Sequence, residues 1–180
     1  MQKIMIIRHA EKHQHGLGHG VDLSGHSARH ELTVQGWQRA GALVQFFSAP
    51  RPHSPIATPR SIFASDATRE SPSLRAMHTA GPLAEALGVT VNHDFAEGEE
   101  DRLAEAVRNA PSPALIVWHH GCIVPLTQQI AGHAIDCPKS WPDERFDMVW
   151  ILERKDLHAP WHFSQFAQCL LAGDRPEVIT

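Results

Sequence analysis

The stretch Ile4-Met5-Ile6-Ile7-Arg8-His9-Ala10-Glu11 runs from four apolar residues straight into three ionisable ones, Arg8, His9 and Glu11. An uninterrupted apolar run of this length predicts a short strand buried on both faces. Its charged end falls where open α/β sheets place their ligands, at the carboxyl ends of the strands. Charge at the end of a buried strand needs a partner. Two readings follow: Arg8 and Glu11 form an ordinary ion pair beside a satisfied histidine, or the three hold a ligand.

A second continuous apolar run, Ala114-Leu115-Ile116-Val117-Trp118, ends in the same manner at His119-His120-Gly121. If the two strands are parallel neighbours, both ends meet at one sheet edge and their imidazoles face one pocket. Between them Ser71-Pro72 predicts a helix start, with proline at the first position where its missing N–H is tolerated. That helix would carry Arg75 in its first turn, where backbone N–H groups also favour an anion. Gly121 would let the chain approach a ligand as the next helix begins.

Around these runs the chain alternates strand and helix. Thr33 predicts the N-cap of a helix with Trp37, Ala40, Val44 and Phe47 on its apolar face. Ser61–Ser65 reads as a strand, and Leu74, Met77, Ala80, Ala84 and Leu87 mark the helix that stops at Gly88, with Pro82 predicting a kink or break. Val89–Val91 reads as an edge strand, and Leu103, Ala106, Val107 and Ala110 mark a further helix. Phe146–Leu152 and Trp161–Phe166 can pair as a closing hairpin. This alternation predicts an α/β fold, and nothing in it divides the 180 residues (1-180) into more than one domain.

Composition excludes several classes of function. A net charge of −4 argues against nucleic acid or an anionic membrane as the main partner. Three cysteines without paired spacing argue against a disulfide framework. No stretch approaches the roughly 18 apolar residues of a membrane span, and the four-residue run before Arg8 is short for a signal peptide. A cytoplasmic protein is the expectation. The sequence says nothing of its oligomeric state.

Two arginines, two histidines and helix N-termini converging on one point suit a doubly charged oxyanion, because the arginine fork matches phosphate oxygens. Clustered histidines also suggest a metal, but the fixed charge of interleaved arginines opposes a cation. The loop with His13, His15, His19, His26 and His30 offers ligand types without zinc-like spacing, apart from His26 and His30. A solvated loop lying over the site is the simpler reading.

Arg8-His9-Ala10-Glu11, Leu32-Thr33-x-x-Gly36-x-x-x-Ala40, Ser71-Pro72-x-x-Arg75-Ala76-x-x-Thr79-Ala80 and the strand ending His120-Gly121 together resemble the histidine phosphatase superfamily. The four matches come in the superfamily's order and cover about the first two-thirds of the chain. The resemblance implies a phosphoglycerate mutase-like fold, a three-layer α/β/α sandwich with a mostly parallel sheet. It implies His9 as the nucleophile that takes the phosphoryl group, with Arg8, Arg75 and His120 holding the phosphoryl oxygens beside Gly121. Arg69 is a rival to Arg75. His119 would point to the other side of the strand end or touch substrate.

The resemblance also implies a carboxylate acid beyond the arginine helix. Glu97, Glu99, Glu100 and Asp101 are the candidates; Glu97 is preferred, and a solvated first helix turn is the alternative for the other three. A metal-independent phosphatase is expected, with no cofactor and no metal. Its substrate would be a small phosphorylated molecule or a phosphohistidine protein. The short chain shows no insertion of the kind that mutases of the superfamily use, which favours hydrolysis over a mutase-type phosphotransferase. A binding module that kept the phosphate pocket but has a degenerate acid is the alternative from another class.

Overall fold

The structure, a computed structural model, describes residues 1–14, 18–50 and 52–180. Ten elements follow in order: β1 (Gln2–Arg8), α1 (Val34–Ser48), β2 (Ser61–Ala64), α2 (Arg75–Leu87), β3 (Val91–Asn92), α3 (Glu100–Asn109), β4 (Ala114–Trp118), α4 (His120–Ala131), β5 (Met148–Arg154) and β6 (His162–Ala167). The strands form one sheet in the order β3-β2-β4-β1-β5-β6. β3, β2, β4 and β1 are parallel, while β5 and β6 close the sheet antiparallel. The sheet is therefore mixed, with its parallel part where the first two apolar runs lie.

β1 and β4 are direct neighbours, with Ile4 opposite Ala114 and Arg8 opposite Trp118. β4 is buried along its length and β1 from Ile4 onward, because helices cover both faces. Side chains alternate along a strand. Met5 and Ile7 accordingly pack with Leu43 and Phe47 of α1 and Ala80 and Leu83 of α2. Ile4 and Ile6 pack on the other face with Leu103 and Val107 of α3 and Ile123 and Leu126 of α4. These are the three layers of an α/β/α sandwich. Among the described residues, no helix is long and apolar enough to cross a membrane.

Local chemistry explains most element ends. Thr33 caps α1, its hydroxyl accepting from the Gly36 N–H at 3.1 Å. Gly88 ends α2 in the left-handed conformation (φ 64°) that glycine adopts without cost. Glu100 and Asp101 lie in the first turn of α3, where they complement its dipole.

Two helix readings need correction. α2 starts at Arg75, not at Ser71-Pro72, because Thr68 and Ser71 close a turn on each other: Thr68 N–H donates to the Ser71 carbonyl at 2.9 Å and Ser71 N–H to the Thr68 hydroxyl at 3.0 Å. Pro82 does not break α2, which runs through it; the buried face of Ala76, Thr79, Ala80, Leu83 and Ala84 outweighs one lost backbone bond. In addition, α4 begins at His120, three residues earlier than the apolar pattern from Ile123 predicts.

Candidate active site

β1 and β4 deliver their polar ends to one place. The His9 N–H donates to the Trp118 carbonyl at 3.0 Å, extending the ladder by one residue and fixing His9 against the start of α4. The Ala10 N–H donates to the Thr79 hydroxyl at 2.8 Å, which ties the end of β1 to the first turns of α2. His9 is buried, and Arg8 is almost wholly so.

The His9 Nδ1 lies 2.7 Å from the Ala10 carbonyl oxygen. A carbonyl only accepts, so Nδ1 carries the proton and Nε2 keeps its lone pair. Burial pushes the His9 pKa well below its ordinary 6.5, and the charges of Arg8 and Arg75 add to that, against the Ala10 carbonyl. The ring is therefore neutral, with a free lone pair on Nε2 at neutral pH.

Among the described residues, three buried side-chain nitrogens have no hydrogen-bond partner: Arg8 Nε, His9 Nε2 and His120 Nδ1. Unpaired buried polar atoms are costly and call for a partner from elsewhere. Their residues stand at the adjoining ends of β1 and β4 and the start of α4, and these three atoms define the site. His119 faces it as well, its ring centroid 6.1 Å from that of His9 and 4.4 Å from that of His120. His119 thus does not turn to the other side of the strand end. A Cβ at Gly121 would lie 3.4 Å from the His119 ring, in contact with it.

Arg8 does not pair with Glu11. Its guanidinium lies over the Phe146 ring at 3.8 Å and meets Asp143. Glu11 instead pairs with Arg39 of α1 at 2.7 to 3.1 Å, and the same Arg39 takes Asp174 at 2.6 Å and Gln168 at 2.9 Å. A buried carboxylate takes the nearest guanidinium whose fork fits it, and α1 supplies that guanidinium. Gly36 lets α1 approach: a Cβ there would sit 2.5 Å from the Glu11 carbonyl oxygen.

Arg75 stands at the N-terminus of α2, half-buried, and its charge acts on both His9 and Arg8. Its N–H groups donate to the carbonyls of Arg29 (2.7 Å) and Glu31 (3.2 Å) and to the Ser73 hydroxyl (3.2 Å). Arg69 is exposed. Of the four acidic candidates, Glu97 is the one that reaches the site. Its carboxylate accepts from Ser71 at 3.3 Å, and Glu97, His119 and Cys122 bring donor atoms within 4.8 Å of one another. Glu99 pairs with exposed Arg102, Glu100 accepts from Trp118 Nε1 at 3.0 Å, and Asp101 is exposed.

Glu97, His119 and Cys122 are also the one group of three metal-type donors among the described residues. Burial and the neighbouring Glu100 push the Cys122 thiol up to about 12, so it is protonated in the metal-free chain. Among its described residues the His-rich loop forms no such group: His13 stacks on His19 at 4.7 Å, and His26 lies exposed beside Asp22. His15 lies outside the described residues.

Asp143, which meets Arg8, Lys12 and His120, is the site contact that sequence reasoning missed. It precedes β5, and because β5 runs antiparallel to β1 the start of β5 lies at the His9 end of the sheet. Pairing the predicted hairpin with β1, rather than only with itself, would have pointed there.

The sequence matches no family profile and no curated protein. Solved structures do match in fold. Over 91% of this chain and 97% of the other, it superimposes on a mycobacterial glucosyl-3-phosphoglycerate phosphatase complexed with VO3, at TM-score 0.54 and 15% identity. Over 91% and 95%, it matches phosphoserine phosphatase of Entamoeba histolytica in complex with 3-phosphoglyceric acid, at TM-score 0.51 and 14% identity. A histidine-to-alanine mutant of that enzyme with phosphoserine matches at TM-score 0.51 and 13% identity. These structural neighbours are histidine phosphatase superfamily members, and the phosphoglycerate mutase-like fold is the one this chain adopts.

Proposed function

We propose that the chain is a metal-independent histidine phosphatase, which hydrolyses a phosphate monoester or phosphohistidine through a phosphoryl group carried on His9. The observation that carries this reading is the set of three unpartnered buried nitrogens, Arg8 Nε, His9 Nε2 and His120 Nδ1. A phosphoryl group placed among them meets a nucleophile on one side and nitrogen partners around its oxygens. Phosphoryl transfer requires that arrangement and little covalent chemistry besides.

In the first step the His9 Nε2 lone pair forms the N–P bond as the P–O (or P–N) bond to the leaving group breaks. Arg8, Arg75 and His120 hold the non-bridging oxygens; Arg75 turns part of its fork from the 29–31 carbonyls to do so. Glu97 gives its proton to the leaving atom. In the second step water attacks phosphorus, Glu97 takes the water proton, and inorganic phosphate leaves as Nε2 recovers its lone pair. Two steps with a good internal nucleophile replace one direct attack by water. The phosphatases that share this fold support a small phosphorylated substrate.

The test is hydrolysis of p-nitrophenyl phosphate by wild type and His9→Ala, each with and without a chelator. The good leaving group needs little acid assistance, so the assay reads the nucleophile alone. Turnover that survives chelation and disappears with His9 supports the proposal. Absence of turnover in the wild type, with phosphate still raising Tm, favours the binding module, and loss on chelation overturns metal independence.

A further inference from the structure

Asp143 lies in the turn before β5, outside every motif that marked the site, and its side chain is 56% exposed. Nevertheless, one of its carboxylate oxygens, Oδ1, gathers three basic groups: Arg8 Nη2 at 3.0 Å, Lys12 Nζ at 3.0 Å and His120 Nε2 at 3.2 Å. Gln14 donates to Oδ2 and to the Asp143 carbonyl, each at 2.9 Å. That carbonyl also accepts from Arg8 Nη1.

A carboxylate among basic side chains suggests a plug that fills the phosphate position. The atoms rule this out. Asp143 takes Nη1 and Nη2 of Arg8 and Nε2 of His120, whereas the nitrogens left without a partner are Arg8 Nε and His120 Nδ1. Asp143 engages one set of atoms on the two side chains and leaves Arg8 Nε and His120 Nδ1 without a partner among the described residues.

We infer that Asp143 is the positioning residue of this site, a bracket that orients Arg8 and His120 and fixes the His120 tautomer with its proton on Nε2. A carboxylate only accepts, so at 3.2 Å it favours the neutral imidazole that carries its proton on Nε2 and presents Nδ1 as a bare lone pair. A phosphoryl oxygen then meets Nδ1 across one proton, brought in by a monoprotonated phosphate. The bracket also supplies the countercharge that keeps three basic groups together. Against partial burial, hydrogen bonding from Lys12 and the charges of Arg8 and Lys12 hold the Asp143 carboxyl at about 2, so it is ionised at neutral pH. Around His120 the charged and titratable groups are Arg8 from β1, Lys12 beyond it, His119 and Asp143.

The role in turnover rests on the proposed phosphatase reading, but the bracket can be tested without turnover. In 15N-histidine-labelled protein without substrate, wild-type His120 should show a protonated Nε2 and a bare Nδ1. Asp143→Ala should show a mixture of tautomers, and inorganic phosphate should inhibit or bind roughly tenfold more weakly. Because misplaced catalytic groups cost about 100-fold, kcat/KM on p-nitrophenyl phosphate should fall by about that factor. Asp143→Glu, which restores the charge, should recover most of the loss, while a merely structural role would give parallel changes in Tm. An unchanged tautomer and unchanged phosphate affinity in Asp143→Ala overturn the inference. If wild type binds phosphate and shows the tautomer without turnover, the bracket stands and the phosphatase reading fails.

Discussion

The Nδ1 of His9 lies 2.7 Å from the carbonyl oxygen of the next residue, Ala10, so the backbone itself selects the tautomer that leaves Nε2 reactive. No second-layer side chain is needed for this, and the contact is set once β1 pairs with β4. The neutral, buried ring has consequences for stability as well as reactivity.

The folded-state pKa of His9 lies below the ordinary 6.5, chiefly through burial. Above pH 6.5 the ring is neutral folded or unfolded and contributes no pH dependence. As pH falls below 6.5 the unfolded chain binds a proton that the folded chain refuses, and stability drops. One such group contributes a loss of about 1.4 kcal/mol between pH 7.5 and 5.5. Urea unfolding at the two pH values should show that loss in wild type in excess of the loss in His9→Ala, where this contribution is absent.

Glu97→Gln should distinguish substrates by leaving group. Removing a general acid costs about 100- to 10,000-fold where the leaving oxygen needs a proton. Alkyl phosphates should therefore lose that factor, while p-nitrophenyl phosphate loses far less. Glu99→Gln should leave both rates unchanged, because Glu99 pairs with exposed Arg102. Equal losses on the two substrates in Glu97→Gln would remove Glu97 from the role.

Arg39→Ala should destabilise by about 3–5 kcal/mol, since it leaves Glu11 and Asp174 as buried carboxylates without their partner. The acid side of the stability curve follows from the same group. Partial burial opposes the shift, but hydrogen bonds from Arg39 and two backbone N–H groups hold the Asp174 carboxyl below its ordinary 3.8. Its stabilisation is present above pH 3.8 and is lost as pH falls through the lower folded value. Denaturant midpoints of wild type and Asp174→Asn should converge in acid.

Gly36→Ala places a methyl group 2.5 Å from the Glu11 carbonyl oxygen, a backbone atom that cannot move aside alone. Overpacking of this kind costs about 1–3 kcal/mol. A lower Tm together with reduced activity is expected, because α1 then stands away from the loop that follows His9. An unchanged Tm would show that the loop yields freely.

How much of this was legible in the sequence depends on sequence distance. The apolar runs Ile4–Ile7 and Leu115–Trp118, the Thr33 cap and the dipeptides Arg8-His9 and His120-Gly121 are local patterns, and they gave the layers and brought the two histidines together. Glu97 stood out only as the first of an acidic run, and three dimensions separate it from Glu99, Glu100 and Asp101. Arg39, Asp174 and Asp143 left no local signal. Arg39 reaches Asp174, and Arg8 reaches Asp143, each across 135 residues. Pairings at that distance come from the antiparallel return of β5 and β6 along β1, which no periodicity records. The ion pair read between Arg8 and Glu11 failed because a better-fitting arginine arrives on α1.

The most direct test of the central claim is to trap the phosphoenzyme. Rapid alkaline quenching of wild type during turnover of a 32P-labelled aryl phosphate should give protein-bound label that survives alkali, is lost in acid, and maps to the peptide containing His9. Absence of that label during steady turnover, or label on another residue, would contradict phosphoryl transfer through His9.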